Sequence, residues 1–138
     1  MALRSIFTSI NLPVKNVKQS KDFFTGLGFE LNPQFPDDEN SAAVVIGENL
    51  QVMLIHQAFF NTLTERETVD TSKYAQITIA LAFESRDKVN EIVNTALSLG
   101  GKLHAEPEDY GTMYHWGFVD LDGHLWAINC MNTDAAQG

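Results

Sequence analysis

Two stretches of the chain alternate apolar and polar side chains, and each is followed by an apolar stripe at helical spacing. In residues 6–14 (IFTSINLPV), Ile10, Leu12 and Val14 fall on one face and Ser9, Asn11 and Pro13 on the other. That is the period-two pattern of a strand buried on one side. Asn16 stands where a helix N-cap belongs, with Gln19 three residues on as its capping-box partner. Val17, Phe24 and Leu27 recur at helical spacing, and Phe23 widens the stripe. Gly26 and Gly28 are expected to end this helix, since glycine accepts the left-handed backbone of a helix terminus. Further strands are predicted at about 28–32, 42–46 and 50–55, with the polar stretch from Pro36 to Asn40 as the loop between the first two.

The same order then returns. Ile77, Ile79, Leu81 and Phe83 alternate with Thr78, Ala80 and Ala82. Ser85 is placed to cap a helix whose stripe is Val89, Ile92, Val93, Ala96 and Leu97, and Gly100 and Gly101 are expected to stop it. Strands around 102–105, 113–119 and 125–130 complete the half. Each half reads β-α-β-β-β. Module one spans about 4–56 and module two about 75–132. The polar linker of about 57–74 carries a short helix around Ala58 to Thr64, and the whole is taken as one domain over 1–138. The fold class expected is α+β.

Composition narrows the function classes. The 138 residues are 44% apolar and 20% charged, as in ordinary globular proteins, and no apolar run approaches the length of a membrane span. The N-terminal stretch lacks the apolar core and cleavage site of a secretory signal, and the lone Cys130 leaves no internal disulfide to form. The expectation is a cytoplasmic protein. The net charge of −9 and the few, scattered lysines and arginines argue against nucleic acid as a partner. No local motif suggests a serine hydrolase, a phosphate loop or a zinc ribbon.

Three segments carry a resemblance. NLPVKNVKQSKDFFTGLGF (11–29) is similar to an opening strand, polar turn and aromatic-bearing helix ending in Leu-Gly-Phe. ESRDKVNEIVNTALSLGGK (84–102) resembles the matching helix of a second half. FVDLDGHLWAINCMN (118–132) resembles a closing Asp-x-Asp-Gly hairpin and final strand. With NPQF at 32–35 and VMLI at 52–55, the chain resembles the glyoxalase/bleomycin-resistance/dioxygenase superfamily, also called the vicinal oxygen chelate fold. The resemblance implies two βαβββ modules whose mixed sheets curl into a cup with helices outside and a small-molecule site inside. In metal-binding members, four side chains, usually His, Glu or Gln, point into that cup. Their metal acts as a Lewis acid on vicinal oxygens of the substrate or activates dioxygen.

By that resemblance the ligand positions read Ser9, Thr78, Ala127 and Gln51, with Met53 in place of Gln51 if the register differs by two. Hydroxyls, an amide and a methyl do not replace the carboxylates and imidazoles a divalent metal needs, so no bound metal is expected. Alternation leaves Asn11, Met113, His115 and Asn129 facing the cup, with Tyr110 closing it from a preceding loop. This mixture suits a partly apolar ligand held by a few hydrogen bonds. His56, His104 and His124 are read as structural, His124 at the surface of a turn, and Cys130 as buried and inert.

The leading function is a homodimeric small-molecule binder without a catalytic metal. The alternative is a metal-dependent lyase, isomerase or dioxygenase of the same superfamily. A third reading is a metal-independent enzyme with His115 as general base, although the sequence offers no carboxylate to orient that imidazole.

Overall fold

In the computed structural model, which describes residues 2–132, the chain divides into two compact units, Met1–Val69 and Asp70–Gly138. The division falls inside the segment expected as a linker.

The first unit runs β1 (Thr8–Val14), α1 (Val17–Leu27), β2 (Glu30–Leu31), β3 (Ser41–Gly47), β4 (Leu50–His56) and α2 (Gln57–Thr64). Its sheet has the order β1-β4-β3-β2, with β1 parallel to β4 and the other pairs antiparallel. The strand alternation predicted from the sequence is what buries: Leu12 and Val14 are inaccessible, while Ser9 and Asn11 on the opposite face are exposed. Asn16 Oδ1 accepts the Gln19 backbone N–H at 3.0 Å and fixes where α1 starts. Val17, Phe23 and Phe24 then pack, with Ala42, Val44, Val52 and Leu54, into a core between α1 and strands β3 and β4. Phe23 and Phe24 meet edge to face at 5.1 Å.

One boundary differs from expectation. Gly26 lies within α1, and Gly28 alone ends it, at φ +114° with its N–H bonded to the carbonyls of Phe24 and Thr25. Only Gly28 reaches the left-handed turn; Gly26 sits in the last helical turn, on its exposed side.

The second unit runs β5 (Thr78–Phe83), α3 (Arg86–Ser98), β6 (Lys102–Leu103), β7 (Glu108–Asp109), β8 (Met113–Val119) and β9 (Leu125–Met131). Here too the first and last strands pair in parallel, in the order β5-β9-β8-β6. Ser85 Oγ caps α3 through the Lys88 N–H at 3.1 Å, and Val89, Ile92, Val93 and Ala96 bury against β8 and β9. The two-residue strand β7, which the sequence pattern did not mark, adds to β8 beside β6. Ile77 falls outside the strand and is 50% exposed, because the parallel ladder with β9 begins only at Thr78.

His124 is also placed differently from expectation. It is buried rather than superficial, because the turn that holds it closes on Asp120. Asp120 Oδ1 accepts the N–H groups of Asp122 (2.9 Å) and His124 (3.0 Å), and Oδ2 accepts Trp126 Nε1–H at 3.0 Å. Gly123, at φ +90°, lets this turn pass against the Thr71 carbonyl, where a Cβ would stand 2.4 Å from that oxygen. The architecture is α+β, two mixed sheets with helices and no closed barrel.

Candidate functional site

In the first unit, the strand face away from α1 brings Ser9 and Asn11 on β1 beside Gln51 and Met53 on β4. Ser9 is the ladder partner of Gln51, and Asn11 of Met53. Gln51 is only 1% exposed, so its amide needs internal partners. It has them. Asn32 Nδ2–H donates to Gln51 Oε1 at 3.0 Å. Gln51 Nε2–H donates to Ser9 Oγ at 3.4 Å and also approaches Met53 Sδ at 3.4 Å. Ser9 Oγ–H in turn donates to Asn11 Oδ1 at 3.3 Å, while Asn32 Oδ1 accepts the Gln34 N–H at 3.1 Å. The result is a one-directional chain of neutral hydrogen bonds from Gln34 through Asn32, Gln51 and Ser9 to Asn11.

A cavity of about 310 Å³ opens beside this chain. Gln51 and Asn32 supply its amides, Phe7, Pro33, Val45 and Leu50 its apolar wall, and Glu48 its charge. Phe7 is further braced by stacking on Phe35 at 6.3 Å. Asn32, which joins the chain to the cavity, was not among the residues singled out from sequence. Its signal was a side-chain amide immediately after a strand, in the Asn-Pro-Gln-Phe turn.

The second unit gathers a different set. On the strand face away from α3, His115 on β8 stands opposite Asn129 on β9, and His115 Nδ1 is hydrogen-bonded to Asn129 Oδ1. Met113 lies two residues along the same strand. Tyr110, in the β7–β8 turn and 57% exposed, sets its ring 6.2 Å from that of His115. A hydrogen bond to the Glu108 carboxylate holds the Tyr110 phenol above its ordinary pKa, so it stays neutral. Thr78 is exposed and pairs with Leu125; the ladder partner of Ala127 is Ala80.

The ladders also fix how the two units correspond. Ser9 and Thr78 each lie seven residues before a helix N-cap. Ser9 pairs with Gln51 and Thr78 with Leu125, so the counterpart of Ala127 is Met53, two residues past Gln51. Under either register the donors are hydroxyls, an amide or thioether, and a methyl. That set does not fit a divalent metal, which is held by carboxylates, imidazoles or thiolates. Among the described residues, no group of three or more His, Cys, Asp or Glu could hold a metal ion.

The model of the Glyoxalase/Bleomycin resistance protein/Dioxygenase superfamily matches residues 6–128. The chain belongs to that superfamily. Among solved structures, a hypothetical protein from S. aureus is 25% identical over 94% of this chain and 95% of its own, with a TM-score of 0.78. A glyoxalase/bleomycin resistance protein/dioxygenase family enzyme from Burkholderia phytofirmans PsJN shares 15% identity over 89% of this chain and 96% of its own (TM-score 0.75). The genomically encoded fosfomycin resistance protein FosX from Listeria monocytogenes shares 18% over 96% and 98% (TM-score 0.67). The last two likenesses are of fold. No match was found among curated proteins. Among the described residues of this superfamily member, no helix is long and apolar enough to cross a membrane.

Proposed function

We propose that this superfamily member binds a small, partly apolar organic molecule through neutral hydrogen-bonding groups, without a catalytic metal. The observation that carries the reading is the cavity of about 310 Å³ beside the buried Gln51 amide. Its volume lies in the range of small-molecule sites, and its lining pairs an apolar wall with a few fixed polar groups, as such sites do. On the first unit the ligand-binding residues of this reading are Ser9, Asn11, Gln51 and Met53, of which Gln51 lines the cavity. Thr78, Tyr110, Met113, His115 and Asn129 are the separate set on the second unit. The same reading has the protein working in the cytoplasm as a homodimer, in which a partner covers sheet edges such as β1 or β5.

Elemental analysis and a thermal-shift screen against a broad metabolite set test the reading together. The expected result is far less than one equivalent of Zn, Ni, Fe or Mn, with at least one neutral ligand that raises the melting temperature. Gln51→Leu should weaken that ligand at least tenfold, by removing the amide the cavity is built around. Near-stoichiometric metal would reverse the reading in favour of a metal-dependent lyase, isomerase or dioxygenase.

A further inference from the structure

His115 and its neighbours on the second unit form a cluster whose hydrogen-bond directions can be worked out. Asn129 Oδ1 is a carbonyl oxygen and can only accept, so the hydrogen in its bond with His115 sits on Nδ1. In the neutral ring the lone pair is then on Nε2. Asn129 thereby supplies the orienting partner for this imidazole that the sequence did not reveal, and no described residue bonds Nε2.

The surroundings select by charge and size. On the same face the ladder neighbour of His115 across β7 is Glu108, whose carboxylate holds the Tyr110 phenol. Asp109, the next residue, pairs with Tyr114 and is engaged by Arg86, Asn132 and the Gly111 N–H. Arg86 is thus committed to Asp109 and Asn132, and its guanidinium lies 4.8 Å from the centre of the Tyr114 ring. From β9 only the neutral Asn129 meets His115, and along β8 its same-face neighbours are Met113 and Gly117. The imidazole has a tilted phenol ring, a thioether, a glycine and a carboxylate for neighbours, and the strands β7, β8 and β9 around it carry no lysine or arginine.

We infer that His115 Nε2 accepts a hydrogen bond from a neutral or cationic ligand (an alcohol, a phenol or an amine) and that this face discriminates against anions. The inference rests on the reading of these strand faces as ligand-binding, and it gives that reading a chemical class.

Nitrogen-15 NMR of the histidine side chains at pH 8 reads the tautomer without any ligand. Titrations with phenol and with benzoate, which share a ring and differ in charge and donor, then read the selectivity. The expected result is an Nδ1–H tautomer at His115 and a saturable phenol-dependent shift of its Nε2 resonance, with benzoate at least tenfold weaker. Asn129→Leu should convert the tautomer and abolish the phenol shift, while Asn129→Asp, which keeps an accepting oxygen, should restore both. An Nε2–H tautomer in the parent protein would overturn the inference, and so would benzoate binding as well as phenol or phenol leaving His115 unmoved. None of these outcomes depends on the cavity beside Gln51, so failure here and failure of that site are read separately.

Discussion

The two units share a strand order and differ in what they do with the face turned away from their helix. In the first, Gln51 is buried and tied into a chain of neutral hydrogen bonds beside a cavity. In the second, the corresponding face is built from small or half-exposed residues, Ala80, Ala127 and Gly117, and its polar chemistry centres on a histidine–asparagine pair with Glu108 and Tyr110 beside it. Their closing hairpins differ as well. The β3–β4 turn is Glu48-Asn49, with open space around Gly47 at the end of β3, whereas the β8–β9 turn is wound around the buried carboxylate of Asp120. Architecture is thus repeated through caps, stripes and ladder pairing, which tolerate many residues, while chemistry is set at single positions that the two halves do not share.

The largest expected effect lies in that second hairpin. Asp120→Ala leaves two backbone N–H groups and the Trp126 indole N–H without their acceptor, and should destabilise the protein by roughly 3–5 kcal/mol in denaturant titration. A loss below about 1 kcal/mol would mean that the turn does not depend on this carboxylate. Glycine replacements sharpen the contrast at the next level. In Gly117→Ala the new Cβ would stand 2.3 Å from the Trp126 carbonyl oxygen, a backbone atom that cannot swing away. The cost should be about 1–3 kcal/mol. Gly47→Ala meets nothing within 4 Å and should stay within about 0.5 kcal/mol of the parent. Equal effects of the two substitutions would erase the distinction drawn between the hairpins.

Much of the architecture was legible because its signals are local. Asn16 and Ser85 marked both helix starts, since a side-chain cap is a property of a few adjacent residues. Alternation put Ser9, Asn11, Gln51 and Met53 on one face, and His115 and Asn129 on another, because a strand's period fixes parity whatever its partner. The pairing within each face was not legible. That His115 meets Asn129, and that Ala127 corresponds to Met53 rather than Gln51, follows from ladder register, which depends on how a hairpin closes. β7 escaped notice because two residues show no period. His124 was misjudged because an Asp-Gly-His sequence looks like a surface turn unless a buried carboxylate gathers its N–H groups.

The smallest expected effect is one of pH, and its sign distinguishes two carboxylates of the second unit. Burial is the main influence on Asp120 and raises its pKa, against the opposing pull of His124 and of its hydrogen bonds. The native state then holds this proton more tightly than the unfolded chain does. Its contribution to stability is complete below the unfolded value of about 4 and is lost as pH rises through the higher folded value. Asp109 is the reverse. The Gly111 N–H first, then Arg86, lower its pKa, so its contribution is present above about 4 and is lost as pH falls through the depressed folded value. Measured against Asp120→Asn, the parent should gain relative stability as pH drops from neutrality towards 4. Measured against Asp109→Asn, it should lose relative stability as pH drops below 4. Parallel pH profiles for the two comparisons would contradict these assignments.

The parallel pairing of first and last strands also bears on how the chain reaches this structure. In each sheet the strand made last is an interior one: β4 lies between β1 and β3, and β9 between β5 and β8. Ser9 must wait for Gln51, 42 residues later, before its strand has any neighbour. Neither sheet can therefore be assembled by zipping up successive hairpins, and each depends on closing a long loop late. On a ribosome, β1 and β5 would remain unpaired edges until nearly all of their module had emerged. A chain cut short before β9 would lack the centre of its second sheet rather than its rim.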